Sequence, residues 1–178
     1  MLNVAKTSPG LLFGSFLYRD DFFSRNDLLA FWESRFGKSF SLAPDENPLY
    51  QYYATEMGAP LERFFVLSSR LYPREFLLTT KLQAVEWEKL WGQGDKRLVN
   101  LDVGFLSTEN FVLATTKNYS HRVFIGQGIF VDLTYQFSKG ELRTFDWTYP
   151  DYLDEQKRDF FTWGRNFLLL QQRLAAQG

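Results

Sequence analysis

Ten residues of this chain have types and spacing that can do chemistry. Seven of them fall in one stretch, Leu98 to Arg122, LVNLDVGFLSTENFVLATTKNYSHR. Lys117 and Arg122 can hold a phosphate or a carboxylate, the arginine through its two-pronged fork. Thr115, Thr116 and Ser120 add hydroxyl groups beside them. His121 is the single histidine, and an imidazole can act as acid or base near neutral pH. Asp102 is an acid suited to orienting that histidine, or to sharing a divalent ion with Glu56. His121 and Asp102 are therefore the catalytic candidates, and no metal ligand set is assigned. Glu56, Tyr149 and Asp151 complete the group of ligand-binding candidates. The competing reading is a polar connection whose histidine caps backbone groups and whose arginine pairs with an acid.

Composition narrows the class. The chain has 178 residues, enough for one domain over residues 1–178 with a single core. Residues 1–9 and 175–178 are expected to be loose ends. Aromatics make up 19% of the chain, which fits a bulky core better than an exposed stacking surface. A net charge of −1 gives no strong nucleic-acid signal. The absence of cysteine excludes disulfides, thiolate catalysis and Cys-rich zinc sites. One histidine excludes a two-histidine mechanism within the chain. No apolar run reaches the roughly 18 residues of a membrane span, and MLNVAKTSPG lacks a signal-peptide core. No membrane contact and a cytoplasmic location are expected. Oligomeric state and cofactor are left open.

The elements that must position these residues follow from periodicity. Gly10 to Tyr18 is a nearly continuous apolar run that suits a strand covered on both faces. Ser24 with Asp27 resembles a capping box that opens a helix ending at Gly37. Residues 38–50 read as a loop. A helical turn over Gln51 to Pro60 would place Tyr52 and Glu56 on one face, as a polar lip or a plain structural helix. Arg63 to Tyr72 reads as a strand. A helix follows Pro73, with Lys81 and Glu88 on its solvated face. Leu98 to Leu101 is a strand ended by a tight Asp-Val-Gly break. That would put Asp102 at a carboxyl end, where open α/β sheets gather ligands. Ser107 or Thr108 is expected to cap a helix to Lys117, with a strand over Phe111 to Thr115 as the alternative.

His121 to Ile125, Ile129 to Phe137 and Glu141 to Phe145 form an antiparallel meander joined by glycine turns. Asp132, Thr134 and Gln136 share one face of its long strand, which is partly wet or lines a polar cleft. Asp151 is expected to cap the last helix. Leu153, Phe160, Trp163, Phe167, Leu170 and Leu174 form its apolar stripe, for core packing or a partner. The fold class is α/β (α+β): a single domain with a mixed β-sheet, a C-terminal antiparallel meander, helices packed on it and a long C-terminal helix. A ferredoxin-like core with additions is the nearest simple alternative.

VNLDVGFL (99–106), LATTKNYSHR (113–122), GQGIFVDLT (126–134) and WTYPDY (147–152) resemble the signature blocks of an uncharacterised bacterial family. It is the domain-of-unknown-function 4416 family, and YYATEMG (52–58) resembles its earlier block. The resemblance covers almost the whole chain. The chain departs from the pattern at Val103, where the family has proline, and at Ala84 and Val85, where a Thr-Asn pair is usual. The resemblance implies a cytosolic bacterial protein of about this length, and no activity.

Two functions are compatible with these residues. One is an enzyme or binding protein for a small phosphorylated or carboxylated ligand. It expects Asp102, Lys117, His121 and Arg122 to converge on one pocket. The other is a non-catalytic protein-interaction module, with RNA a weaker variant. Serine-triad, P-loop and dinucleotide motifs are absent.

Overall fold

A computed structural model describes residues 7–45 and 50–177. The first strand sets the architecture. β1 (Gly10–Arg19) is buried along nearly its whole length, because alternate residues feed two opposite cores. Leu12 and Phe16 point to one, and Leu11 and Phe13 to the other.

Around β1 lie β2 (Ser39–Asp45), β3 (Leu61–Tyr72), β4 (Val99–Leu106), β5 (Asn110–Thr115), β6 (Arg122–Gly126), β7 (Ile129–Ser138) and β8 (Glu141–Arg143). Their order is β2-β3-β1-β4-β5-β7-β6, with β8 beside β7. Every pairing is antiparallel. The fold is α+β, a single domain with a meander and a long C-terminal helix. The helices are α1 (Arg25–Phe36), α2 (Tyr50–Met57), α3 (Phe76–Trp91) and α4 (Glu155–Gln177). β1-α1-β2 and β3-α3-β4 are two split β-α-β units, and the order of their strands is that of a ferredoxin-like core. β5 to β8 extend that core beyond β4.

The helices make two outer layers. Leu28, Trp32 and Phe36 of α1 and Leu77 and Ala84 of α3 pack on one face of the sheet. Phe161 and Leu168 of α4 pack on the other, in a cluster of rings with Phe13, Phe65, Phe111, Tyr135 and Tyr152. The Ser24 cap of α1 forms as expected, its hydroxyl accepting from the Asp27 N–H at 3.1 Å.

Several local expectations are corrected. Residues 38–50 hold β2 rather than only a loop, and Pro44 is tolerated there because β2 is a sheet edge. Residues 46–49 of that loop lie outside the described residues, as do 1–6 and 178 of the expected loose ends. Residues 175–177 complete α4. No helix spans 107–117. The Ser107 hydroxyl accepts from the Glu109 and Asn110 N–H groups and turns β4 into β5. Phe111 and Val112 then find strand partners in β4, and that pairing overrides the local capping signal. There is no break at Asp102-Val103-Gly104: β4 runs through it. Gly104 serves close packing instead. A Cβ there would lie 2.7 Å from the Phe111 ring and 2.7 Å from the Val112 carbonyl.

The core face of α4 is also not the stripe read from the sequence. Lys157, Phe161, Gly164 and Leu168 are buried, while Trp163, Leu170 and Leu174 are exposed. Leu153 lies before the helix begins.

Gly104→Ala should destabilise the protein by about 1–3 kcal/mol, the usual cost of overpacking. Urea unfolding followed by circular dichroism reads that loss; an unchanged midpoint would contradict the packing described.

Candidate functional site

The β4–β5 ladder stops at Val103 and Ala114. Beyond it β5 stays with β7, to Thr115 opposite Phe130. The first half of β4 is therefore left without a strand on that side. Buried backbone groups must be paired, and α3 pairs them here. The Glu88 carboxylate accepts from the Leu101 N–H at 2.7 Å, and the Lys81 ammonium donates to the Leu101 carbonyl at 3.2 Å. Lys81 and Glu88, expected on a solvated face, are thus turned inward; Lys81 is buried and the Glu88 side chain is only 14% exposed.

The gap so formed is a cavity of about 140 Å³. It is smaller than the roughly 300–1,000 Å³ of drug-sized sites, so it suits a compact ligand. Five cationic residues line it (Arg63, Lys81, Arg97, Lys117, Arg122), and five acidic ones (Glu56, Glu88, Asp102, Asp132, Asp151). Most are already engaged. Arg97 bridges Glu56 at 2.9 Å and Glu88 at 3.6 Å, and donates to the Asn100 side-chain carbonyl at 2.7 Å. Asn100 in turn donates to the Asp102 carboxylate at 3.1 Å. Glu56, Arg97, Asn100 and Asp102 therefore form one relay that fixes Asp102. Each nitrogen of the Arg122 guanidinium has a partner: Asp132 at 3.3 Å, the Lys117 carbonyl at 3.0 Å and the Tyr149 hydroxyl at 2.6 Å.

Five residues keep groups that are unpaired or only partly satisfied. Lys117 makes no ion pair among the described residues. Asp102 has no cationic partner there either. Arg63 is buried and paired through one terminal nitrogen with Asp151, and its guanidinium lies over the Tyr53 ring at 5.5 Å, yet its Nε and other terminal nitrogen have no hydrogen-bond partner. Asp151 Oδ1 and the Tyr152 hydroxyl, both buried, are also unpartnered. Burial, and then the nearby Asp102 charge, push the Tyr53 and Tyr152 phenols upward. Both phenols therefore keep their protons as donors. Burial also pushes the Glu88 carboxyl up, against the pull of Lys81 and of the Leu101 N–H.

Eight of the ten residues singled out in the sequence line this cavity: Glu56, Asp102, Thr115, Thr116, Lys117, Arg122, Tyr149 and Asp151. His121 and Ser120 do not. His121 sits in a shallow depression on the outer side of Arg122, its ring stacked on Trp147 at 5.3 Å. Its carboxylate partner is Asp132 at 3.1 Å, not Asp102, and Arg122 bonds the same oxygen. Asp102 is placed mid-strand, not at a carboxyl end, because β4 continues past it to Leu106. Glu56 pairs with Arg97 at 2.9 Å, and Asp102 is joined to that pair through Asn100. No group of three or more His, Asp or Glu residues with metal-holding geometry occurs among the described residues. Asp151 does not cap α4; Asp154 does, accepting from the Lys157 N–H at 3.2 Å.

Sequence reasoning missed Arg63, Lys81, Glu88, Arg97 and Asn100 as lining residues, while Asp132, on the strand face read as partly wet or lining a polar cleft, does line the cavity. Arg63 carried one usable signal: a lone cation opening the otherwise apolar strand RFFVLSS. A charge in such a strand needs a buried partner.

The fold and cavity define a class: an α+β protein with a ferredoxin-like core and a small, charge-lined cavity where the added strands diverge. The chain belongs to the family described as Domain of unknown function (DUF4416), whose model matches residues 8–167. No curated protein and no solved structure matches it. No helix among the described residues is long and apolar enough to cross a membrane.

The raised Glu88 carboxyl sets a pH dependence. The folded state holds this proton more tightly than the unfolded chain. Its contribution is therefore fully present below the ordinary value of 4.5 and is lost as pH rises through the higher folded value. The wild type should lose stability relative to Glu88→Gln as pH is raised above 4.5. Urea midpoints measured in parallel across that range check this, and parallel curves would contradict it.

Proposed function

We propose that the cavity binds a small organic anion, a carboxylate or a phosphate, that also carries a hydroxyl or amino group. The observation that carries this reading is Arg63, a buried guanidinium with two N–H-bearing nitrogens unpartnered at a cavity wall. A buried donor left unmade costs free energy, and an anion is the strongest acceptor available to it. Lys117, with no ion pair of its own, adds a second charge for the same group. The hydroxyl or amino group of the ligand then meets Asp102 and the unpartnered Asp151 Oδ1. Opposite charges balance among the lining residues, so a ligand of mixed character fits better than a bare polyanion.

Arg122 has a different part in this reading from the one its sequence position suggests. Its three guanidinium nitrogens engage Asp132, the Lys117 carbonyl and Tyr149, so it holds the Lys117 loop against the β6–β7 hairpin. Thr115 and Thr116 offer hydroxyls at the cavity rim. Catalysis by His121 is not part of the proposal, because its ring is stacked outside the cavity. The cytoplasmic, bacterial setting expected from the sequence is carried in the same proposal.

Thermal unfolding with glycerate, serine, glycerol 3-phosphate and inorganic phosphate tests it. A ligand at 100 times its dissociation constant should stabilise the protein by about 2.7 kcal/mol. That shift should be lost in Lys117→Ala and weakened in Asp102→Asn. No shift with any of the four, or a shift that both variants keep, would overturn the proposal.

A further inference from the structure

Helix α4 carries two apolar faces; the sheet buries one and covers the other only in part, with Phe160 and Phe167 half-buried against the same core. Phe161, Gly164 and Leu168 are buried against it. Phe160, Trp163, Phe167, Leu170 and Leu174 follow at spacings of three, four, three and four residues. That is the seven-residue repeat of a helix–helix seam, in which a and d positions face a second helix. Trp163 is 44% exposed, Leu170 53% and Leu174 55%. The seam is stiff as well as apolar. The Phe160, Trp163 and Phe167 rings lie nearly parallel along the helix, 14° and 15° apart. Phe40 of β2 packs edge-on against Trp163 and Phe167 at 4.6 and 5.1 Å and supports them from one side.

The flanking charges choose the occupant. With Phe160, Phe167 and Leu174 as a and Trp163 and Leu170 as d, the g positions are Asp159, Asn166 and Arg173, all exposed. Neither Asp159 nor Arg173 makes an ion pair among the described residues. In an antiparallel pair of helices a residues face d residues and g faces g. Setting Phe160 opposite the partner's Leu170, and Trp163 opposite the partner's Phe167, brings Asn166 to the twofold axis. The same register sets Asp159 opposite the partner's Arg173, and by symmetry it does so twice. A parallel pair would face these g residues with Gly164 and Gln171, which carry no charge.

We propose that α4 is the interface of an antiparallel homodimer, with a second copy of this chain seated on the Phe160–Leu174 seam. The seam and its charges complement themselves, as a two-fold interface requires. The partner helix closes over the exposed Trp163 and Leu170, and it leaves the cavity at the β4–β5 gap unaffected.

The test is sedimentation equilibrium of the full chain over a concentration series, with circular dichroism confirming that each variant folds. The wild type should dimerise, and Leu170→Glu should remain monomeric. Asp159→Arg or Arg173→Asp alone creates two like-charged pairs and should weaken the dimer by about tenfold. The two reversals together should restore it. The chain has no cysteine, so Asn166→Cys gives a clean second readout: air oxidation should cross-link it into a covalent dimer. A wild type that stays monomeric up to its solubility limit overturns the proposal. So does a dimer that survives Leu170→Glu, a double reversal that fails to restore association, or an Asn166→Cys variant that does not cross-link.

Discussion

The site depends on two hydrogen bonds to one residue, Leu101. β4 has no neighbour on that side before Val103, and a buried strand cannot leave its N–H and carbonyl unpaired. Glu88 and Lys81, seven residues apart on α3, take the place of the missing strand. Without them the gap would have to close by extending β5 along β4, and there would be no cavity. With them, β5 is free to follow β7 and to carry Thr115, Thr116 and Lys117 across the opening.

The charges around that gap follow from the same constraint. Lys81 and Glu88 are there for the backbone, but two buried ions need company. Arg97 joins Glu88 to Glu56 and, through Asn100, to Asp102. On the far wall Arg63 is held by Asp151, and Arg122 by Asp132 and Tyr149. Ion networks of this kind add little net stability, since desolvation offsets most of the attraction. Their effect is to fix geometry. What they fix is a cavity with a few polar groups still unsatisfied, chiefly Arg63, Lys117, Asp102 and Asp151. Those residual groups, rather than the total number of charges, are what a ligand would meet.

Much of the fold was legible because it rests on local patterns. The apolar run of β1 reads as a strand buried on both faces, the Ser24–Asp27 cap marks α1, and glycine turns mark the meander. Over 107–117 the strand alternative holds and the helix does not, because the Ser107 hydroxyl that reads as a helix cap instead closes a tight turn from β4 into β5. α4 was legible as a helix, but not which of its faces meets the sheet. Glycine at position 164 gives no apolar signal, yet a Cβ there would lie 2.7 Å from Leu67. The cluster at 115–122 was legible as chemistry-bearing, and it does reach the cavity rim at Thr115, Thr116, Lys117 and Arg122. The turn of His121 onto Trp147 depends on a partner 26 residues away, and residue type alone gives no direction. Lys81 and Glu88 looked like solvated helix residues because nothing in a helix sequence shows that a neighbouring strand will be missing.

The central claim is that the gap in the sheet leaves Arg63 with donors aimed at a ligand. The most direct test is a nitrogen-15 NMR titration that follows the Arg63 Nε–H resonance, assigned with Arg63→Lys, as glycerate or glycerol 3-phosphate is added. The account predicts that this resonance shifts with the ligand and exchanges more slowly with water, while the other arginine Nε–H signals move little. An Arg63 signal that stays fixed while the ligand perturbs only surface amides would contradict it.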